Sequence, residues 1–202
     1  VRGIVHGYLG GQAGASAMLN VLTGKVCPSG KLNETYPVHC EDTPVLHYYP
    51  SKERSSEYRE SLYVGYRYYT TVDKKVRFPF GFGLSYTTFK YSDLKVDESG
   101  VTFQIRNTGK TAGTEIAQLY IGRKSDTVFR PVRELKGFAR VTLEPGEAKT
   151  VHIKFDDKTF RFYDTRTNTW EIETGDYEIM VGSDAQTILL KDKLYVAGTV
   201  SE

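Results

Sequence analysis

No apolar run in the 202 residues approaches the roughly 20 that a membrane-spanning helix needs. Charge of one sign is lacking too. The 27 Lys and Arg stand against 25 Asp and Glu, a net of +2, so no electrostatic argument favours nucleic acid or membrane as a partner. Cysteine is scarce. Cys27 and Cys40 match no zinc spacing, and no Cys-x-x-Cys occurs. They read as unpaired thiols, with a bridge between them the alternative in an oxidising compartment. The histidines, His6, His39, His47 and His152, are scattered, and none has a partner at metal-ligand spacing. No metal or cofactor is expected. The opening Val1-Arg-Gly-Ile-Val-His6 is no signal peptide and reads as the middle of a domain; nothing in the chain names a compartment. Asn33-Glu34-Thr35 matches a glycosylation sequon, a pattern frequent by chance.

What is abundant is aromatic. With 15 Tyr and 10 Phe, rings make up 13% of the chain, which suits a sheet-rich protein because rings fit a pleated surface. They crowd into Tyr63-Val-Gly-Tyr-Arg-Tyr-Tyr69 and Phe78-Pro-Phe-Gly-Phe-Gly-Leu-Ser-Tyr-Thr-Thr-Phe-Lys-Tyr91. Glycine lets the backbone turn while large rings pack on both sides, so this segment reads as an ordered crossover between two packed units. Upstream, residues 10–24 read as one helix. Ala13, Ala17, Met18, Val21 and Leu22 form its apolar stripe, and Gly24 is a C-terminal stop. Pro28, Pro37, Pro44 and Pro50 leave little regular structure between residues 31 and 60. A lone helix with such a tail cannot bury its own apolar face, so the region reads as the end of a larger domain.

From about residue 88 the pattern becomes that of a β-sandwich: short alternating runs separated by turn signals. The runs are Phe89 to Val96, Val101 to Ile105, Glu115 to Ile121, Glu134 to Leu143, Lys149 to Phe155, Asp176 to Val181 and Thr187 to Val196. Val101, Phe103 and Ile105 alternate with polar residues, as do Val151, Ile153 and Phe155, so each set can face one core. Glu144-Pro-Gly-Glu147 fits a type II turn and predicts a hairpin between its flanking runs; Asn107-Thr-Gly109 is another turn. Seven short strands favour a two-sheet sandwich over a barrel.

In order along the chain, Gly10-Gly-Gln-Ala-Gly14, Pro28-Ser-Gly-Lys-Leu32, the aromatic crossover, Asn107-Thr-Gly-Lys-Thr-Ala-Gly-Thr-Glu115, Gln118-Leu-Tyr120, Arg130-Pro-Val-Arg-Glu-Leu-Lys-Gly-Phe138, Leu143-Glu-Pro-Gly-Glu147 and Gly175-Asp-Tyr177 resemble the C-terminal region of glycoside hydrolase family 3, the β-glucosidases and their relatives. The resemblance implies three parts: residues 1–60, the end of an α/β sandwich domain; 61–87, the crossover; and 88–202, a fibronectin type III-like domain. It also implies retaining hydrolysis of β-linked glycosides by a parent enzyme, with two carboxylates about 5–5.5 Å apart. The family's nucleophile sits in a Ser-Asp-Trp-like motif. Here Ser92-Asp93, Ser125-Asp126 and Ser183-Asp184 are followed by Leu, Thr and Ala, and the acid/base glutamate is expected upstream of Gly10. No catalytic residue is carried onto this chain. The partners implied are the parent's barrel and α/β domains, and a carbohydrate substrate through the parent.

Other features have plainer readings. Gly7-Tyr-Leu-Gly-Gly11 lacks the lysine and spacing of a phosphate loop and reads as close packing. Gly83-Leu-Ser85-Tyr-Thr87 is a nucleophile elbow only superficially. His152 alternates with Val151 and Ile153, on a strand's outer face. Tyr63, Tyr66, Tyr68, Tyr69, Phe78, Phe80 and Phe82 are expected to cement the two units, the rival being a sugar platform on a free-standing carbohydrate-binding or adhesion module. Trp170, the only tryptophan, is expected at a strand start in the core, the rival being a sugar contact. Lys124, Arg130, Arg133 and Lys136 are expected on a solvated face. The stripe of the 10–24 helix is expected either to fold back on the crossover rings or to pair with a second copy in a homodimer.

Overall fold

A computed structural model describes residues 1–52, 54–125 and 128–199. The chain runs α1 (Gly14–Leu22), β1 (Tyr36–Pro37), a 3-10 turn (Cys40–Asp42), α2 (Tyr66–Thr71), β2 (Val76–Phe78), β3 (Phe89–Asp97), β4 (Gly100–Asn107), β5 (Gly113–Gly122), β6 (Glu134–Leu143), β7 (Ala148–Lys154), β8 (Phe162–Asp164), β9 (Thr169–Glu171), β10 (Gly175–Gly182) and β11 (Ile188–Val196). The seven runs expected after residue 88 are β3 to β7, β10 and β11. They form a sandwich of a four-stranded sheet, β11-β10-β5-β6, on a three-stranded sheet, β3-β4-β7.

Alternation explains the core. Val101, Phe103 and Ile105 of β4 are fully buried, and across the β4–β7 ladder Val101 faces Ile153 and Phe103 faces Val151. From the opposite sheet come Ala117, Leu119 and Ile121 of β5 and Tyr177, Ile179 and Val181 of β10. β5 breaks the alternation, because its other face is covered as well: Tyr120 of β5 and Met180 of β10 join Tyr66 and Ala185 in a second cluster. The centre of this sheet is therefore buried on both faces, and the layer covering its second face is the aromatic crossover.

The expected β6–β7 hairpin is corrected. The turn has the expected geometry, with Gly146 at φ +79° and Glu147 N–H donating to the Glu144 carbonyl at 3.0 Å. Yet β6 and β7 lie in different sheets. Asn107 N–H donates to the Glu147 carbonyl and Gly146 N–H to the Asn107 carbonyl, so the turn docks on the end of β4 and β7 pairs with β4. The Asn107 side chain is buried here. It accepts from Thr87 Oγ1 and Gly109 N, and donates to the Thr111 and Leu143 carbonyls. Every polar atom of that amide is satisfied, as burial requires.

The crossover contains a helix, α2, that its sequence does not announce, since Tyr and Thr are modest helix formers. Gly65 opens it at φ +58°, and Thr70 and Thr71 donate back to the carbonyls of Tyr66 and Arg67. The N-terminal helix is shorter than expected. Ala13 stands at its N-terminal boundary with no side-chain cap, Gly24 stops it at φ +74°, Met18 and Val21 are half-buried, and Leu22 is 65% exposed. Trp170 is also corrected. It lies within β9, on an added hairpin with β8, and is half in water rather than in the core.

Carboxylates cap the sandwich turns. Asp97 accepts from Ser99 N and Oγ, Asp156 from Lys158 N and Thr159 Oγ1, and Glu147 from Glu144 N. These bonds, led by the Ser99 side chain at Asp97 and the Thr159 side chain at Asp156, hold both aspartates below their ordinary 3.8. Asp164 is lowered likewise by the Arg166 guanidinium. A depressed carboxyl contributes stability above its unfolded value and loses it as pH falls through its folded value. The thermal midpoint is therefore expected to fall as pH drops below about 4, as read by calorimetry across a pH series. A midpoint that rises on acidification would contradict this.

Candidate functional site: the aromatic junction

The junction is built on the outward face of β5. Gln118 is its centre. Gln118 Nε2 donates to the Gly81 carbonyl at 3.1 Å and the Ser183 carbonyl at 2.7 Å, while Oε1 accepts from Tyr120 Oη at 2.6 Å. One buried amide thus joins the crossover, β5 and the segment after β10. Gly81 is at φ +81°, and a Cβ there would stand 2.2 Å from Gln118 Oε1, so both conformation and space demand glycine.

Rings fill the space around this amide. Tyr66 stacks on Phe80 at 4.9 Å and meets Tyr120 edge-on at 5.9 Å. Its hydroxyl accepts from Leu135 N, and Ala185 N donates to the Phe80 carbonyl. Burial pushes the Tyr66 and Tyr120 hydroxyls up, so both stay protonated. Tyr66 and Tyr69 are buried and Tyr63, Tyr68, Phe78, Phe80 and Phe82 half-buried; Phe78 meets Tyr36 of the N-terminal unit edge-on at 6.4 Å, and Tyr63 stacks on Phe129 at 5.1 Å.

The N-terminal unit enters through Leu32, which exchanges backbone hydrogen bonds with Gly81 and Phe82, and through β1, which pairs with β2. Lys31 Nζ lies 3.2 Å from Glu115 Oε1 on β5, and Tyr91 Oη donates to the same oxygen at 3.0 Å. All three side chains are nearly buried, and burial first, then the Glu115 charge, pushes the Tyr91 hydroxyl up. Removing one partner would strand the other charge, so the pair fixes register more than it adds stability. Ser85 faces Cys27 Sγ and Thr87 N. Both cysteines are free thiols.

Other buried carboxylates also have structural partners. Glu173 pairs with Arg123 at 3.3 Å and with Arg130, and accepts from Ser125. Arg130 and Arg133 are therefore corrected from a solvated face: Arg130 is drawn inward by Glu173 and lies over the Phe162 ring, and Arg133 donates to the Ala185 carbonyl. Asp184 caps the turn to β11 through Gln186 N and Thr187 N. Asp93, at φ +57°, sits in a bulge of edge strand β3; Asp126 lies outside the described residues. His152 is on the outer face, its Nδ1 2.9 Å from Thr102 Oγ1. Gly10 packs close to Gly14, as expected of that segment. Among the described residues no three of His, Cys, Asp and Glu gather as a metal site. The sequence reading missed Gln118 and the Lys31–Glu115 pair. The signal was a glutamine and a glutamate interrupting an otherwise apolar strand.

Gly81→Ala is expected to destabilise the chain by about 2–4 kcal/mol, through backbone strain and collision with Gln118. The thermal midpoint should drop by roughly 5–10 °C. Gln118→Ala should behave similarly, because two carbonyls and a tyrosine hydroxyl lose their partner. Unchanged midpoints in both variants would show that the amide does not hold the junction.

Known proteins match the chain on both sides of this junction. The family model described as the glycosyl hydrolase family 3 C-terminal domain matches residues 1–86, and that of the fibronectin type III-like domain matches residues 115–185. Thermostable beta-glucosidase B of Acetivibrio thermocellus is 44% identical over 99% of this chain, which covers 28% of that protein. An exo-alpha-(1->6)-L-arabinopyranosidase of Bifidobacterium breve is 39% identical over 93% of this chain, which covers 25% of it. The crystal structure of the Bifidobacterium adolescentis GH3 beta-glucosidase superposes with a TM-score of 0.88 at 37% identity, over 93% of this chain and 29% of that one. The chain spans about a quarter of the length of the relatives it matches. With two family matches in this order, joined by one buried junction, the chain belongs to glycoside hydrolase family 3 as the C-terminal region of that family's longer sequences.

Proposed function

We propose that these residues are the C-terminal part of a longer retaining β-glycosidase and that they act by bracing it. Residues 1–60 are the end of its α/β sandwich domain, 61–87 the crossover and 88–202 the fibronectin type III-like domain. The two catalytic carboxylates belong to the rest of the parent, which also binds the carbohydrate substrate. One observation carries this reading: crossover rings that could have stacked a sugar are instead packed away, Tyr66 and Phe80 against Tyr120 and Met180 of the sandwich and Phe78 against Tyr36 of the N-terminal unit. That favours bracing over a free-standing carbohydrate-binding module using the same rings. The sugar is left to the parent, because the relatives include a beta-glucosidase and an arabinopyranosidase.

Incubated with 4-nitrophenyl β-D-glucopyranoside, the 202-residue chain is expected to release no nitrophenol above the blank. Turnover that disappears when an acidic residue of this chain is replaced would overturn the assignment. The uncovered stripe of α1 gives a second expectation. Met18 and Val21 are half-buried and Leu22 is exposed, so the isolated chain is proposed to pair with a second copy through this face. Light scattering should report a dimer that becomes a monomer in Met18→Glu/Leu22→Glu. A monomeric unsubstituted chain, or a dimer unaffected by the double substitution, would remove the proposal.

A further inference from the structure

The β8–β9 hairpin presents a ring pair that neither the core nor the junction uses. Tyr163 and Trp170 are cross-strand partners, with centroids 5.6 Å apart at 71°. They are 48% and 51% exposed. A tryptophan half in water on a small hairpin is unusual, since burying it would be favourable. The hairpin beneath it is braced. Phe162 lies under the Arg130 guanidinium at 4.2 Å, Asp164 is buried beneath Arg166, and Ile172 exchanges bonds with Thr199. Arg161 donates from Nε to the Asp157 carbonyl and from Nη1 to the Trp170 carbonyl. Its Nη2 has no protein partner among the described residues. The remaining exposed positions of the hairpin are Thr165, Arg166, Thr167, Asn168 and Thr169, all polar.

We propose that the Tyr163–Trp170 pair is a secondary glycan-contact site, taking the apolar face of one pyranose unit of a glucan chain. A β-glucopyranosyl ring carries its hydroxyls equatorially, so each face presents only C–H groups. Such a face matches a rigid, half-exposed indole, and the ring edges present hydroxyls to polar groups. Here those groups are the free Arg161 nitrogen, Asn168 and the threonine hydroxyls. Two rings in a polar rim are too small a patch for a stable protein interface of about 800 Å² per partner. The edge-to-face pairing holds the indole in place, so little ordering is needed on binding. This goes beyond the bracing role and uses none of the glycosidase chemistry. It tethers the glucan to the sandwich through rings other than those of the crossover.

Trp170 is the only tryptophan, so its emission reports this site alone. Titrating the full chain with cellohexaose is expected to give a saturable emission change, with a Kd on the order of 1 mM. Electrophoresis through hydroxyethyl cellulose should retard the chain. Trp170→Ala should abolish the retardation, Trp170→Phe should keep part of it, and Tyr163→Ala should weaken the cellohexaose response about fivefold. An unchanged thermal midpoint shows that each variant is folded, as expected for half-exposed positions. No emission change and no retardation overturns the proposal. So does retardation that survives Trp170→Ala.

Discussion

The fold depends on a strand that is buried on both sides. Residues 117, 119 and 121 of β5 face the sandwich core, while Gln118 and Tyr120 face the crossover. A strand between two layers cannot leave a polar side chain unsatisfied, and Gln118 is satisfied only by joining three separate segments. The amide thus converts a burial requirement into a positional one. Gly81 must sit where its carbonyl meets Nε2, which fixes where Phe80 and Phe82 place their rings. Those rings fix Tyr66 and α2. The N-terminal unit then follows through Leu32.

Charge plays a similar positional part. Lys31 and Glu115 are 84 residues apart and meet at nearly full burial. Such a pair adds little net stability, but a mismatch is expensive, so it penalises any other docking of the N-terminal unit. The Glu173 cluster does the same work at another site, drawing Arg123 and Arg130 inward and bracing the hairpin that carries Trp170. For the bracing role proposed above, fixed register between units is the property that must be supplied.

The strands of the sandwich were legible because their signals are local. Val101, Phe103 and Ile105 alternate, and Pro145-Gly146 encodes a type II turn whatever surrounds it. Which strand pairs with which was not legible. Asn107 directs β7 to β4 rather than to β6, through bonds between residues about 40 apart. α2 was hidden because tertiary packing of Tyr66 and Tyr69 overrides weak local preference. The β8–β9 hairpin was hidden because Thr165-Arg-Thr-Asn168 carries no Gly or Pro signal, and Trp170 was misread because a tryptophan is ordinarily buried. Of the junction, the role of the rings was readable from their crowding around glycine. The polar atoms that hold them were not, since a single Gln or Glu in a strand has no periodicity to betray it.

Crossover and sandwich should unfold as one cooperative unit, and native-state hydrogen exchange reads this amide by amide. The amides of Leu32, Gly81, Leu135 and Ala185, which bond to Phe82, Leu32, Tyr66 and Phe80, report the junction. They are expected to exchange with the same opening free energy as the amides of β5 and β4, the energy of global unfolding. Junction amides that exchange orders of magnitude faster, while β4 and β5 stay protected, would show instead a crossover that merely rests on the sandwich.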